Sequence, residues 1–481
     1  MTTAIADDRA ASSPGQWTWL SYAYAALVVF GMGYFLLDLP IQVTDSYGNL
    51  VQAADGTLGS LVYEQFRTRA FLRPLLWAHI RVVYDVSGGH YYEWFRGWHV
   101  GQFAVLTILF LRLVRPRTPA AAAAVPLGLA ALIGIHTFAG TVREAFPINT
   151  FMTILVCCYL AADLALGAPR WWRDVAAAML FVFAALTVES GLLVAVVVVA
   201  AYLAGARGVS RRGIATIVLL VAGYLFVRFV VLHVGAPGLQ ERSSGFGFST
   251  REPDQLARMF GGSALPFYIY NAVSSFLSVL FSEPRAGIWG VTRGIVQGES
   301  SVAGLVNLVA SGLGTLVIAF YVWHRRLDWR ARRFNRDDQL VIVFIAVALA
   351  NSVISYAYTK DVIVSPAGAF FAVALTVGAT GVLESMTRAS ARQQAVAAML
   401  LVVLSGAWAF RAVGIHVGLR DSAAVLRNEW AYVDDWLARE HQVPTNPRAI
   451  ALKNHLQNDA IRSHPARPAV TSGWVEWFAE N

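Results

Sequence analysis

The chain has 481 residues, 57% of them hydrophobic and 14% charged, with a mean hydropathy of +0.53. Those values place it among polytopic membrane proteins. The net charge of +8 does not make it a nucleic-acid binder, because the arginines stand in short loops beside apolar runs, where they act as topology signals.

Residues 1–16 are polar, with no basic stretch leading into a short apolar core and a cleavage site. No cleaved signal peptide is expected, and the segment reads as a cytoplasmic tail. Residues 17–37 form a first apolar run long enough to span. The next comparable run begins near Trp98, which leaves a loop, 38–96, too long for a simple connection. Long ordered loops tend to carry function. This one holds Asp38, Asp45-Ser46-Tyr47, Arg67, Arg69, Arg73-Pro74 and His79. Leu75 to Val86 reads as a semi-apolar helix lying on the membrane surface.

Further apolar runs fall at 97–114, 119–138, 148–168, 174–188, 190–205, 213–235, 302–324, 339–358, 365–386 and 394–416. The segment 265–282 is aromatic-rich and shorter than a good span. Basic clusters occur at Arg112/Arg115/Arg117, Arg170/Arg173, Arg207/Arg211/Arg212, Arg325 through Arg336, and Arg388/Arg392. The positive-inside rule puts all five in the cytoplasm. With the N-terminus inside, this holds only if 265–282 does not cross.

The expected fold is therefore an all-α polytopic membrane protein with about eleven transmembrane helices, N-terminus inside and C-terminus outside. A membrane domain, 17–416, carries two outer loops, 38–96 with interfacial helices and 236–301 with an interfacial or re-entrant helix. The tail, 417–481, is too short for a rich core of its own and reads as a helix and an extended stretch packed on the outer face. Trp17, Trp98, Trp171, Trp172, Trp323 and Trp329 stand at span ends as interfacial anchors. Cys157 and Cys158 are neighbours in an apolar run and point about 100° apart on a helix, so they read as apolar filler.

Polar elaboration collects on the outer side. Asp45 is the leading candidate for a catalytic base, and Asp38, nearer the span end, is its rival. A sugar transferred to a hydroxyl or amine needs a carboxylate to take the acceptor's proton. Asp45 equally suits a helix cap. Arg67, Arg69 and Arg73 suit phosphate, which guanidinium binds through several donors, or acidic lipid headgroups. His99 opens the second span and His136 closes the third. Both positions also suit polar anchors. Glu144 follows Arg143 in a short outer loop. Glu189 lies between two apolar runs, where a carboxylate is costly unless paired or exposed, and is a functional candidate on that ground. Lys360-Asp361 joins two spans on the same side and suits an anionic group. No zinc-type cluster, P-loop, nucleophile elbow or nucleotide-binding glycine motif appears, so no cofactor is called for and no divalent metal is supported.

In this order the features resemble the GT-C superfamily of membrane glycosyltransferases, near the protein O-mannosyltransferase-like branch. The resemblance rests on the acidic first loop, Phe71-Leu72-Arg73-Pro74-Leu75-Leu76, Trp98-His99 with Gln102, His136 followed by Glu144, and Val188-Glu189-Ser190. Asp45-Ser46 stands where the family has paired aspartates, the family's lysine before Glu-Ser is missing, and no TPR repeat follows. The resemblance implies a polyprenyl-phosphate-linked sugar as donor and direct displacement with inversion. The acceptor would be a glycan, lipid or protein, and membrane lipids the surrounding partners. Asp45 and Asp38 would be catalytic. Arg67, Arg69, Arg73, His99, His136, Glu144, Glu189 and Lys360 would contact donor phosphate or substrate. The rival readings are a membrane transporter or lipid or polysaccharide flippase, and a non-enzymatic envelope assembly protein. The first would need essential charges at mid-membrane, and the second would tolerate loss of Asp45.

Overall fold

Among the described residues seven helices are long and apolar enough to cross a membrane, which makes the chain an all-α, multi-pass membrane protein. The computed structural model describes residues 15–37, 39–67, 72–143, 150–233, 243–245, 248–251, 253–281, 288–299, 302–357, 359–387, 389–440 and 443–463. The chain opens with α1 (Gln16–Leu37), then three short helices, α2 (Thr44–Asp55), α3 (Leu58–Glu64) and α4 (Pro74–Ser87). There follow α5 (Tyr91–Val114), α6 (Pro119–Gly134), α7 (His136–Arg143), α8 (Thr150–Ala165) and α9 (Trp171–Ala185). A 3-10 turn, Glu189–Leu192, leads into α10 (Leu193–Leu203). Next, α11 (Arg211–Phe226) ends in a π-helical turn, Val227–Val231, and a small hairpin pairs β1 (Ser243–Gly245) with β2 (Phe248–Arg251). After α12 (Pro253–Met259) come α13 (Leu265–Phe281), α14 (Ile288–Gln297), α15 (Val302–Arg330) and α16 (Arg336–Ile354). A second 3-10 turn, Asp361–Val364, precedes α17 (Ser365–Met386), and α18 (Ala391–Ala431), α19 (Val433–Arg439) and α20 (Pro447–Ser463) complete the chain.

Local chemistry sets several of these boundaries. Thr57 and Ser60 form a capping box at the start of α3. Pro74 stands at the first position of α4, and Gly88, in the left-handed region at φ 55°, ends it. Asn335 with Asp338, and Ser390 with Gln393, cap α16 and α18 in the same reciprocal way.

The hub of the bundle is α17, which packs against α6, α15 and α16. In its apolar stretch 94% of residues are buried. Its run Ser365-Pro366-Ala367-Gly368-Ala369 is small enough for close approach. A Cβ on Gly368 would meet Thr137 Oγ1 at 2.1 Å, and one on Gly128 of α6 would meet Thr376 Oγ1 at 1.9 Å. Tyr159 of α8 donates its hydroxyl to Ala369 O at 2.6 Å.

The connections sort onto two ends. At the basic end, Arg112 pairs with Asp163 (2.6 Å), Arg336 donates to Leu166 O (2.9 Å), and Ser210 donates to Asp174 (2.6 Å). Arg325 pairs with Asp338 (2.9 Å), and Thr118 donates to Glu384 (3.3 Å). These contacts bring the turns bearing the basic clusters together, as the positive-inside argument expects; Arg388 lies outside the described residues. At the other end, the loop end, Leu75 N donates to Leu186 O (3.1 Å) and Trp430 Nε1 to Ile41 O (2.6 Å). His136 Nε2 lies there 3.6 Å from Asp361 Oδ1. The first loop, the turn at Glu189, the turn at Asp361 and the C-terminal helices therefore share one end.

Two outer segments gain detail. The segment 265–282 does not lie flat on the bundle. At its loop-end side Asn271 Nδ2 donates to Tyr356 O (2.8 Å). Near its other end Leu280 O accepts from Thr315 (2.6 Å), part way along α15 and well short of Arg325. The buried side of α13 carries Asn271, Ser274, Ser275 and Ser278 as well as Phe267 and Val279, and it packs against α15 and α16. In the tail, α18 runs on to Ala431, and α19 and α20 follow as separate helices. Its α19 and α20 share one core with the first loop, built from Ile41, Tyr47, Leu50, Ile80, Trp430, Val433 and Leu452. Neither segment is long enough for a core alone, and together they make one.

Candidate functional site

Three charged side chains from distant segments meet at the loop end. Arg73, immediately before α4, donates from Nε (3.1 Å) and Nη2 (2.6 Å) to Glu189 Oε2. Arg228 comes in from the other side, its Nη1 3.3 Å from Glu189 Oε1, within ion-pair range though without hydrogen-bond alignment. The same Nη1 donates to Tyr224 Oη at 2.9 Å. Arg228 is delivered by the π-helical turn, a distortion that recurs at functional sites. Burial works against the charge on Glu189, but Arg73 and then Arg228 outweigh it and hold its carboxyl below the usual range. Among the described residues, two guanidiniums meet one carboxylate here. Its accessible side chains, Arg73 and Glu189, are 27% and 22% exposed, so it is open to a ligand.

A cavity of about 740 Å³ opens on the flank of the bundle, and none of the three charged residues is in its wall. Its walls are α5 (Gly97, Trp98, Gly101, Gln102, Val105), α8 (Thr153, Val156, Cys157, Leu160) and α9 (Leu180, Phe183), with His79 of α4 at its mouth. Gly97 and Gly101 stand one turn apart with nothing within 4 Å of the Cβ positions. A Gly-x-x-x-Gly stripe normally lets a second helix approach. Here no described helix covers it, and the space stays open. The lining is apolar apart from Gln102, which donates to Thr153 Oγ1 at 2.7 Å, and His79 and Glu93 at the loop end. His79 packs edge-on against Phe183 at 5.0 Å, one turn from where α4 meets Leu186. Burial lowers the pKa of its imidazole and favours the neutral form.

A second polar patch lies across the loop end. His136 is buried there, its Nε2 3.6 Å from Asp361 Oδ1. Lys360 is exposed beside it.

The sequence candidates divide clearly. Arg73 and Glu189, chosen separately, form one ion pair, and Arg228 completes it. Arg67 stays at the surface with Glu64 (3.9 Å) and Tyr63 and does not join the cluster. His99 is buried within α5. Asp38, Arg69 and Glu144 lie outside the described residues. Asp45 falls in the first turn of α2, and its side chain lies outside the description. Cys157 and Cys158 are free and buried, Cys157 at the cavity wall. Sequence reasoning missed Arg228, although an arginine within the apolar run Tyr224 to Val231 was a signal in plain view. Among the described residues no three His, Cys, Asp or Glu side chains gather to hold a metal ion. No protein-family model matches the chain, and no curated protein matches it.

Proposed function

We propose that the chain is an integral-membrane glycosyltransferase of the GT-C type, moving a sugar from a polyprenyl-phosphate donor to an acceptor on the extracytoplasmic face. The observation that carries this reading is an arginine-carboxylate cluster at the loop end together with an apolar flank cavity whose wall residues His79 and Phe183 stand six residues along the chain from Arg73 and Glu189. That pairing matches an amphiphile with a long hydrocarbon tail and an anionic head. The tail lies along Gly97, Gly101 and Leu160, and the phosphate meets Arg73, with the buried Arg228 adding positive charge behind Glu189. Glu189 is the counter-charge that keeps the two guanidiniums in place. Shared between them, its carboxylate is too weak a base for the acceptor.

The base is assigned to Asp45, in the first turn of α2 at the same end, with Asp38 as its rival. The acceptor oxygen attacks the anomeric carbon, the bond from that carbon to the phosphate oxygen breaks, and polyprenyl phosphate leaves with the electron pair. The acceptor's proton passes to Asp45. The loop end is assigned to the extracytoplasmic side of the cell membrane, since the basic end takes the cytoplasmic side under the positive-inside rule. The crossings number eleven when the shorter apolar helices α6, α8 and α10 and helix α9 are added to the seven, with α13 re-entrant. The test is transfer of radiolabel from polyprenyl-phosphate sugars in membranes containing the protein. Asp45→Asn is expected to lose about 10²–10⁴ in rate while donor binding survives. Normal transfer by Asp45→Asn with loss in Asp38→Asn moves the base to Asp38. Full activity in both removes the carboxylate mechanism.

A further inference from the structure

We infer that Arg96 and Trp430 are positioning residues that fix the start of α2, so that the C-terminal helices belong to the working site. The inference rests on the transferase reading, in which α2 carries the base.

The chain between α1 and α2 is irregular, and Leu39, Pro40 and Ile41 are buried. Buried backbone outside a helix or sheet leaves carbonyls that need partners. Side chains from elsewhere supply them. Arg96 of α5 donates from Nε to Leu39 O (2.6 Å) and from Nη2 to Pro40 O (2.6 Å). Trp430, 389 residues along the chain from Ile41, donates its indole N–H to Ile41 O at 2.6 Å. Tyr92 donates its hydroxyl to Leu37 O. Arg96 is 0% exposed, although its charge is permanent and costly to bury. The ring of Trp430 then packs edge-on against Tyr47 at 5.9 Å, two residues past Asp45. One side chain thus holds the backbone before α2 and a ring within its first turn.

Catalytic geometry tolerates little slack, and a displacement of about 1 Å can cost a hundredfold in rate. A clamp on both sides of the first turn supplies that constraint. It also accounts for the fold of the tail, since α18 must continue past the bundle to present Trp430, and α19 and α20 pack around it.

Trp430→Phe separates this role from simple packing, because it keeps the ring on Tyr47 and deletes the N–H. The purified variant in lipid vesicles is compared with wild type by hydrogen exchange of backbone amides and by sugar transfer. Amides of α2 are expected to exchange about tenfold faster while those of α17 are unchanged, and kcat to fall about tenfold. The KM for the lipid donor should stay constant, because Arg73 and Arg228 lie on other elements. Arg96→Lys, which keeps one donor and the charge, should retain part of the rate. Wild-type exchange in α2 overturns the clamp, and faster exchange with unaltered kcat overturns its positioning role. A wild-type protein without transfer sinks the transferase reading and the positioning role with it, while the exchange data still decide whether the clamp exists.

Discussion

At the residue scale, the site depends on how arginine and carboxylate share charge. Arg73→Ala should weaken use of the lipid donor ten- to about a hundredfold, one lost charge-assisted contact being worth roughly 1.5–3 kcal/mol. Arg73→Lys should recover only part, since it keeps the charge but loses the fork that now donates from Nε and Nη2. Donor KM in the transfer assay reads both, and full activity of Arg73→Ala would reduce this residue to a headgroup anchor. Glu189 was legible as a candidate from its cost between two apolar runs. Its role as counter-charge was not, because the decisive partner, Arg228, lies inside a run that hydropathy reads as one span.

At the scale of elements, the cavity follows from helix surfaces. Gly97 and Gly101 empty one face of α5, and no described helix fills it. Gly101→Trp meets no neighbour at its Cβ, so the helix should tolerate it while the indole occupies the cavity. Donor KM should rise at least about tenfold with thermal stability within about 1 kcal/mol of wild type, a glycine in a helix being the poorer residue. Unchanged donor kinetics would place the lipid elsewhere. The sequence showed α4 as a helix over Leu75 to Val86 and showed the apolar runs. It did not show this cavity, which depends on how α5, α8 and α9 diverge, and no single segment encodes that. Helix α13 shows a similar limit. Its length argued against crossing, but its buried serines and Asn271, on a helix packed against α15 and α16, matter only once those helices are in place.

At the scale of the molecule, charge and hydrophobicity read along the chain anticipated the separation of a basic end from a loop end. Four of the five basic clusters gather through contacts such as Arg112–Asp163 and Arg336–Leu166. The partnership between the first loop and the tail was less legible, because it joins Ile41 to Trp430 across nearly the whole chain. The central claim is that one amphiphile spans the flank cavity and the arginine cluster. Photo-crosslinking with a diazirine-bearing polyprenyl phosphate, followed by mapping of the labelled peptides, tests it without knowledge of the sugar or the acceptor. The account predicts label at Trp98, Leu160 and Phe183, competed by unlabelled polyprenyl phosphate and lost in the double variant Arg73→Ala/Arg228→Ala. Label spread over bilayer-facing residues such as Phe30 and Val402, uncompeted and indifferent to the arginines, would contradict it.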